Sequence, residues 1–209
     1  MKIKYITALL VFISFTSFAQ ELLTNVTWNI GLPVSRMNQY TTDVTYQGFT
    51  ISGRRFLDKY NSVGFMTGWN LFNEKSYEPI DLAGGENSSG TLSGTQVRSV
   101  NSFPLLVGLH HHFGKRDDMR AFVGLNTGMY YILQRLDVGV YRFDNDNWHF
   151  GLAPEAGLII PFDEDRTSFY VGARYNYAFD SGTTLGGNEN NFYSFYEINL
   201  GFAFSSKWF

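Results

Sequence analysis

Two histidines, two glutamates and an arginine are the residues in this chain whose types and spacing most invite a chemical role. His110, His111 and His112 form the cluster with metal-ligand character. On a strand, His110 and His112 share one face about 7 Å apart while His111 points the other way. Two imidazoles hold zinc only with further ligands, and Arg120, predicted beside His112, would repel a cation. His110 and His112 are therefore weak metal candidates, better explained as histidines beside a short turn at an interface. His149, with Asp144, Asp146 and Ser181 in nearby connections, supplies the residue types of a lipid-modifying site. Its predicted direction is inward, however, and nothing pairs it with a serine, so these polar residues read as turn positions. Cysteine is absent, which excludes disulfides, thiol chemistry and thiolate metal sites.

The third set is Asn126, Glu155, Arg174 and Glu197, and its meaning depends on the elements that carry it. Alternation at period two is clearest over 167 to 179, where Phe169, Val171, Ala173, Tyr175 and Tyr177 oppose Ser168, Gly172, Arg174 and Asn176. Segments 97 to 113, 120 to 135, 148 to 160 and 192 to 208 split the same way, and 24 to 34, 43 to 55 and 62 to 74 do so more weakly. The total is eight predicted strands. Connections at 35 to 42, 75 to 96, 136 to 147 and 180 to 191 are long, those at 56 to 61, 114 to 119 and 161 to 166 short and charged. Long and short alternate along the chain. A two-sheet sandwich gives no reason for that sorting, whereas a membrane barrel has short turns at one end and long loops at the other.

The predicted fold class is therefore all-β, an eight-stranded antiparallel transmembrane β-barrel of up-and-down topology. Its composition agrees: aromatic residues make up 18% and glycines number 21, yet the mean hydropathy is slightly negative, as expected when apolar outward residues alternate with polar or small inward ones. Trp28, Phe113 and Trp208 are expected in an aromatic girdle at the periplasmic boundary, and Tyr131, Trp148, Tyr177, Phe179 and Phe192 in one at the outside boundary. Pairing about the turns places Asn126, Glu155, Arg174 and Glu197 inward at similar depth, with Glu155 beside Arg174. Such a set could be a gate or proton path, but a lumen this narrow needs ion pairing merely to hold charge, which favours a plug. Tyr46, Met66, Phe72, Phe122, Tyr130, Tyr170 and Tyr193 are the bulky inward residues, and inward glycines leave voids for them to fill. No open pore is expected.

Residues 1–19, MKIKYITALLVFISFTSFA, read as a cleaved signal peptide, with Lys2 and Lys4 ahead of a short apolar run and Ser17 and Ala19 at the cleavage spacing. The apolar run is shorter than the roughly 20 residues of a spanning helix. Residues 20–209 are then a single barrel domain. Its acidic balance implies no nucleic-acid partner.

The runs WNIGLPV (28 to 34), YQGFTISGRRFLDKYNSVGFMTGWNLF (46 to 72) and APEAGLIIP (153 to 161), with the terminal aromatic, resemble the small outer-membrane β-barrel domain proteins of Bacteroidota, the PorT-like group. That resemblance covers nearly the whole mature chain and implies an outer-membrane location more firmly than an activity. One departure concerns the C-terminus: Phe209 shares a face with Lys207, Ser205 and Ala203, while the apolar set follows the Trp208 register. The expected function is a non-enzymatic outer-membrane barrel with a structural or surface-binding role, without cofactors. The alternatives are an accessory subunit of a multi-protein transport or secretion complex, and a lipid-modifying enzyme. Expected partners are outer-membrane lipid and lipopolysaccharide, the barrel-assembly machinery and, for a complex, other outer-membrane proteins. Both termini are expected in the periplasm.

Overall fold

A computed structural model describes residues 22–77, 80–83, 89–92, 95–114, 118–162, 166–181 and 193–206. The elements in chain order are β1 (Leu22–Val34), a single helical turn α1 (Met37–Tyr40), β2 (Gly48–Phe56), β3 (Asn61–Ser76), β4 (Ile80–Ala83), β5 (Ser89–Leu92), β6 (Gln96–Phe113), β7 (Arg120–Val138), β8 (Tyr141–Pro161), β9 (Thr167–Ala178) and β10 (Tyr193–Ser206). Among the described residues, eight of the ten strands close into one antiparallel barrel in the order β1-β10-β9-β8-β7-β6-β3-β2, and β4–β5 form a separate hairpin. The eight-stranded up-and-down barrel expected from the alternation is thus the architecture found. Following partners from Thr24 through Gly53, Phe65, Val107, Thr127, Leu152, Tyr177 and Ser194 returns to β1 at Val34, ten residues beyond the start. That stagger requires strongly tilted strands, about 35–45° in closed barrels.

Burial is inverted relative to a water-soluble protein. Outward positions expose Val26, Phe49, Ile51, Phe65, Leu105, Val107, Leu109, Val123, Leu125, Ile198 and Phe202, while Asn25, Asn29, Ser52, Arg54, Asn70, Glu155, Arg174 and Glu197 are buried inside. A wall of apolar side chains this continuous far exceeds the patches a soluble monomer tolerates and suits lipid. Glycines opposite the bulky inward residues make the interior fit. The Tyr130 ring occupies the space a Cβ at Gly151 would need, and Phe122 does the same at Gly157.

The ends of the barrel differ. At the end where β1 begins and β10 ends, β2 is joined to β3, β6 to β7 and β8 to β9; in the first of these connections Asp58 accepts bonds from the Asn61 side chain and from the N–H groups of Tyr60 and Asn61, which hold its carboxyl below the usual range. The opposite end departs from expectation in three places. Residues 136–147, predicted as a loop, continue the β7–β8 ladder to Val138↔Tyr141 around a two-residue turn with Gly139 at φ 59°. Glycine at the first central position suits a tight hairpin turn. The alternation was hidden because much of this hairpin meets water on both faces: Val140, Tyr141 and Phe143 are exposed. The long connection 75–96 carries the β4–β5 hairpin. Third, strand β2 begins at Gly48 rather than 43. Thr45 and Gly48 both face inward, so an extra residue between them shifts the alternation and turns Tyr46 outward, 60% exposed, instead of into the lumen.

Candidate functional site in the lumen and its outer mouth

Inward side chains from all eight barrel strands meet at mid-lumen. Glu155 of β8 stands opposite Arg174 of β9, which stands opposite Glu197 of β10. Arg174 Nε donates to Glu155 Oε2 at 3.0 Å and its Nη1 to Glu197 Oε1 at 3.0 Å. Arg54 Nη2 of β2 donates to Glu155 Oε1 at 2.5 Å and to the Tyr170 hydroxyl at 3.0 Å. His110 Nε2 of β6 lies 2.6 Å from the same Glu155 oxygen. On the other carboxylate, Asn70 Nδ2 of β3 and Asn176 Nδ2 of β9 donate to Glu197 Oε2 at 3.0 and 3.2 Å. Tyr130 of β7 donates to Asn176, and Asn29 of β1 to Asn70 and Thr50. Two guanidinium groups balance two carboxylates, and each carboxylate oxygen has a partner. This arrangement cross-links the wall and leaves neither carboxylate free to act as a base.

The expected neighbours Glu155 and Arg174 are therefore joined, with Glu197 bound to the same arginine. Asn126 is inward and donates to the Ala153 carbonyl at 3.1 Å rather than to a carboxylate. Arg54 and the close approach of His110 were missed. The signal was present: Arg54 pairs with Gly64, which pairs with Gly108, so a long side chain on β2 has room to cross the lumen.

Apolar residues pack on both sides of this polar belt. Phe56, Phe122, Ile159, Tyr170 and Ala203 fill the end near the termini. Toward the opposite mouth lie Met66, Phe72, Val100, Leu106, Ile132, Tyr193 and Phe195, and Met37 of α1 joins them. The first connection is thus folded into the mouth. Ser35 turns the chain with φ 55°, Met37 is 2% exposed, and the Tyr40 hydroxyl donates to the Arg135 carbonyl at 3.0 Å. Burial pushes the Tyr40 phenol up to about 12, so it remains a donor at neutral pH.

The remaining sequence candidates separate. His112 Nε2 bonds Ser62 Oγ at 2.9 Å, and Arg120 lies over Phe56 near the adjoining turn. Among the described residues no group of three or more His, Asp or Glu could hold a metal ion. His149 points inward with Nδ1 on the Phe179 carbonyl, while Ser181 donates to the Trp148 carbonyl, Asp146 accepts from Tyr131 and Asp144 pairs with Arg135. Among the described residues no histidine, serine and carboxylate converge there. On the outer wall at the long-connection end Tyr131 packs on Trp148, and Phe179 on Phe150 and Tyr177, while Phe113 lies at the turn end with His111. Trp28 departs from its expected boundary position: it stands midway along β1 and donates to the Tyr46 carbonyl at 2.7 Å. Phe192 and Trp208 lie outside the described residues, as do residues 1–19.

This closed barrel superposes on solved structures. The attachment invasion locus protein Ail of Yersinia pestis, crystallised with the heparin analogue sucrose octasulfate, superposes with a TM-score of 0.51 at 10% identity, covering 90% of this chain and 100% of Ail. The fold is that of eight-stranded outer-membrane barrels. OprG of Pseudomonas aeruginosa gives a TM-score of 0.50 at 16% identity, over 91% of this chain and 97% of OprG. No family model and no curated protein matches the sequence.

Proposed function

We propose that this chain is an integral outer-membrane barrel without enzymatic activity, closed to bulk solute, that presents a binding surface outside the cell. The carrying observation is the lumen: a charge-balanced belt tied to all eight strands, apolar layers on both sides and a first connection folded into the mouth. The outward face supports a surface role. Strands β7 and β8 run 19 and 21 residues, about twice the 9–11 that span a bilayer, so their hairpin stands clear of the membrane. Residues 1–19 act as the export signal in this account, the termini and short turns lie in the periplasm, and assembly machinery inserts the chain. Membership of the PorT-like group of Bacteroidota belongs to the same proposal, supported by the motif runs around 28 to 34, 46 to 72 and 153 to 161.

Because the chain has no cysteine, single cysteines report orientation cleanly. On intact cells Val140→Cys should react with a membrane-impermeant maleimide, and Lys59→Cys in a short turn should react only after the envelope is opened. The reverse pattern would overturn the orientation. Extraction in mild detergent should recover the protein alone; recovery in a stoichiometric complex would favour the accessory-subunit alternative.

A further inference from the structure

The barrel wall is incomplete in its outer half at one seam. Between β1 and β2 the ladder ends at Trp28↔Phe49, and between β2 and β3 it ends at Gly48↔Asn70. Above that level the backbones of the upper parts of β1 and β3 are bridged, among the described residues, by residues 41–47. Gly31 and Thr45 exchange two backbone bonds of 2.9 and 2.8 Å, the Leu71 N–H donates to the Gln47 carbonyl at 2.9 Å, and the Thr45 hydroxyl donates to the Leu71 carbonyl. Successive residues of a strand turn their backbone groups to alternate sides. Since Leu71 faces this seam, Asn73 turns its N–H and C=O toward it as well, beyond the last backbone–backbone bond and below the Thr42 N–H and hydroxyl, which both donate to the Glu74 carboxylate.

A cavity of about 290 Å³ opens at this notch, lined by residues 43–47 with Leu71 and Asn73. Three features define its chemistry. The side chains of Asp43, Gln47 and Asn73 supply acceptors and donors, and all three are exposed. Tyr46 presents an open ring, backed by Trp28 at a centroid distance of 6.4 Å and an interplanar angle of 25°. Its polar groups are carboxylate and amide, with no cation among the lining residues, so phosphate is disfavoured.

We infer that this notch binds a neutral, hydroxyl-rich saccharide, with the sugar face on Tyr46 and its hydroxyls on Asp43, Gln47 and Asn73. Flat aromatic surface beside a few convergent polar groups is the make-up of a small-molecule site. Hydroxyls would also satisfy the seam-facing backbone of β3, which lipid cannot. The inference rests on the proposed membrane location at two points: lipid leaves the seam-facing backbone without partners, and a glycolipid headgroup is the source when the notch lies at the outer leaflet.

The test is native mass spectrometry of the folded protein in a zwitterionic detergent, with dodecyl maltoside or free maltose added. Retention of either sugar, reduced at least tenfold by Asn73→Leu and by Tyr46→Ala, is the expected result. Equal binding of both probes assigns a free-saccharide site, and retention of the alkyl glycoside alone assigns a lipid headgroup. Binding of neither probe, or binding unchanged in both variants, overturns the inference. The mobility difference between boiled and unboiled samples on a gel shows independently that each variant is folded, and orientation by cysteine labelling separates failure of this site from failure of the membrane assignment.

Discussion

Replacing Glu155 by alanine should destabilise the folded barrel by about 3–5 kcal/mol, the cost of leaving buried charges without their partner. Glu155 is the centre of the belt, contacted by Arg54, Arg174 and His110, with side chains that are each about 2% exposed. Its removal leaves Arg54 with no carboxylate and Arg174 with one. An exposed pair gives the scale for comparison: Arg135 and Asp144 lie 2.8 Å apart with 34% and 44% exposure, so Arg135→Ala should cost less than about 1 kcal/mol. Urea unfolding in one detergent measures both. Equal losses for the two variants would mean that the belt does not hold the barrel together.

A second large effect is expected at the seam where the barrel closes. Gly201 of β10 pairs with Thr27 of β1, and a Cβ there would meet the Val26 carbonyl and the Thr27 Cα. Those atoms belong to backbone fixed by its own ladder, so they cannot swing aside as a long side chain can. Gly201→Val should therefore cost roughly 1–3 kcal/mol or more and sharply reduce the fraction of protein that closes. Gly53→Ala is the control, because nothing lies within 4 Å of its Cβ position. An unboiled gel separates closed from open protein. A folded band for Gly201→Val as strong as that for Gly53→Ala would show that this close approach is relieved elsewhere.

How much was legible follows from where each residue meets a contrast in environment. Strands β6, β9 and β10 have lipid on one face and a polar lumen on the other, so period two is plain and their facing residues were assigned correctly. The outer β7–β8 hairpin exposes Tyr141, Arg142 and Phe143 in succession, and without a buried face no alternation marks it as strand. Tyr46 was misplaced because a single extra residue in the bridging segment reverses every direction before it. In the lumen, Glu155 and Arg174 could be paired by counting from the short turn between their strands. Arg54 sits across the barrel from Glu155, and a contact across a lumen leaves no trace in local register. Met37 is similar: a helical turn of four residues in a polar connection shows its buried position only once the apolar layer of Phe72 and Phe195 is in place.

Ion conductance tests the closed lumen most directly. Purified, folded protein inserted into a planar bilayer should give no reproducible conductance steps, since among the described residues the belt and the buried side chains around Met37 lie across the lumen. Stable, repeated steps of porin size would contradict the account, and with it the structural role assigned to Arg54, Glu155, Arg174 and Glu197.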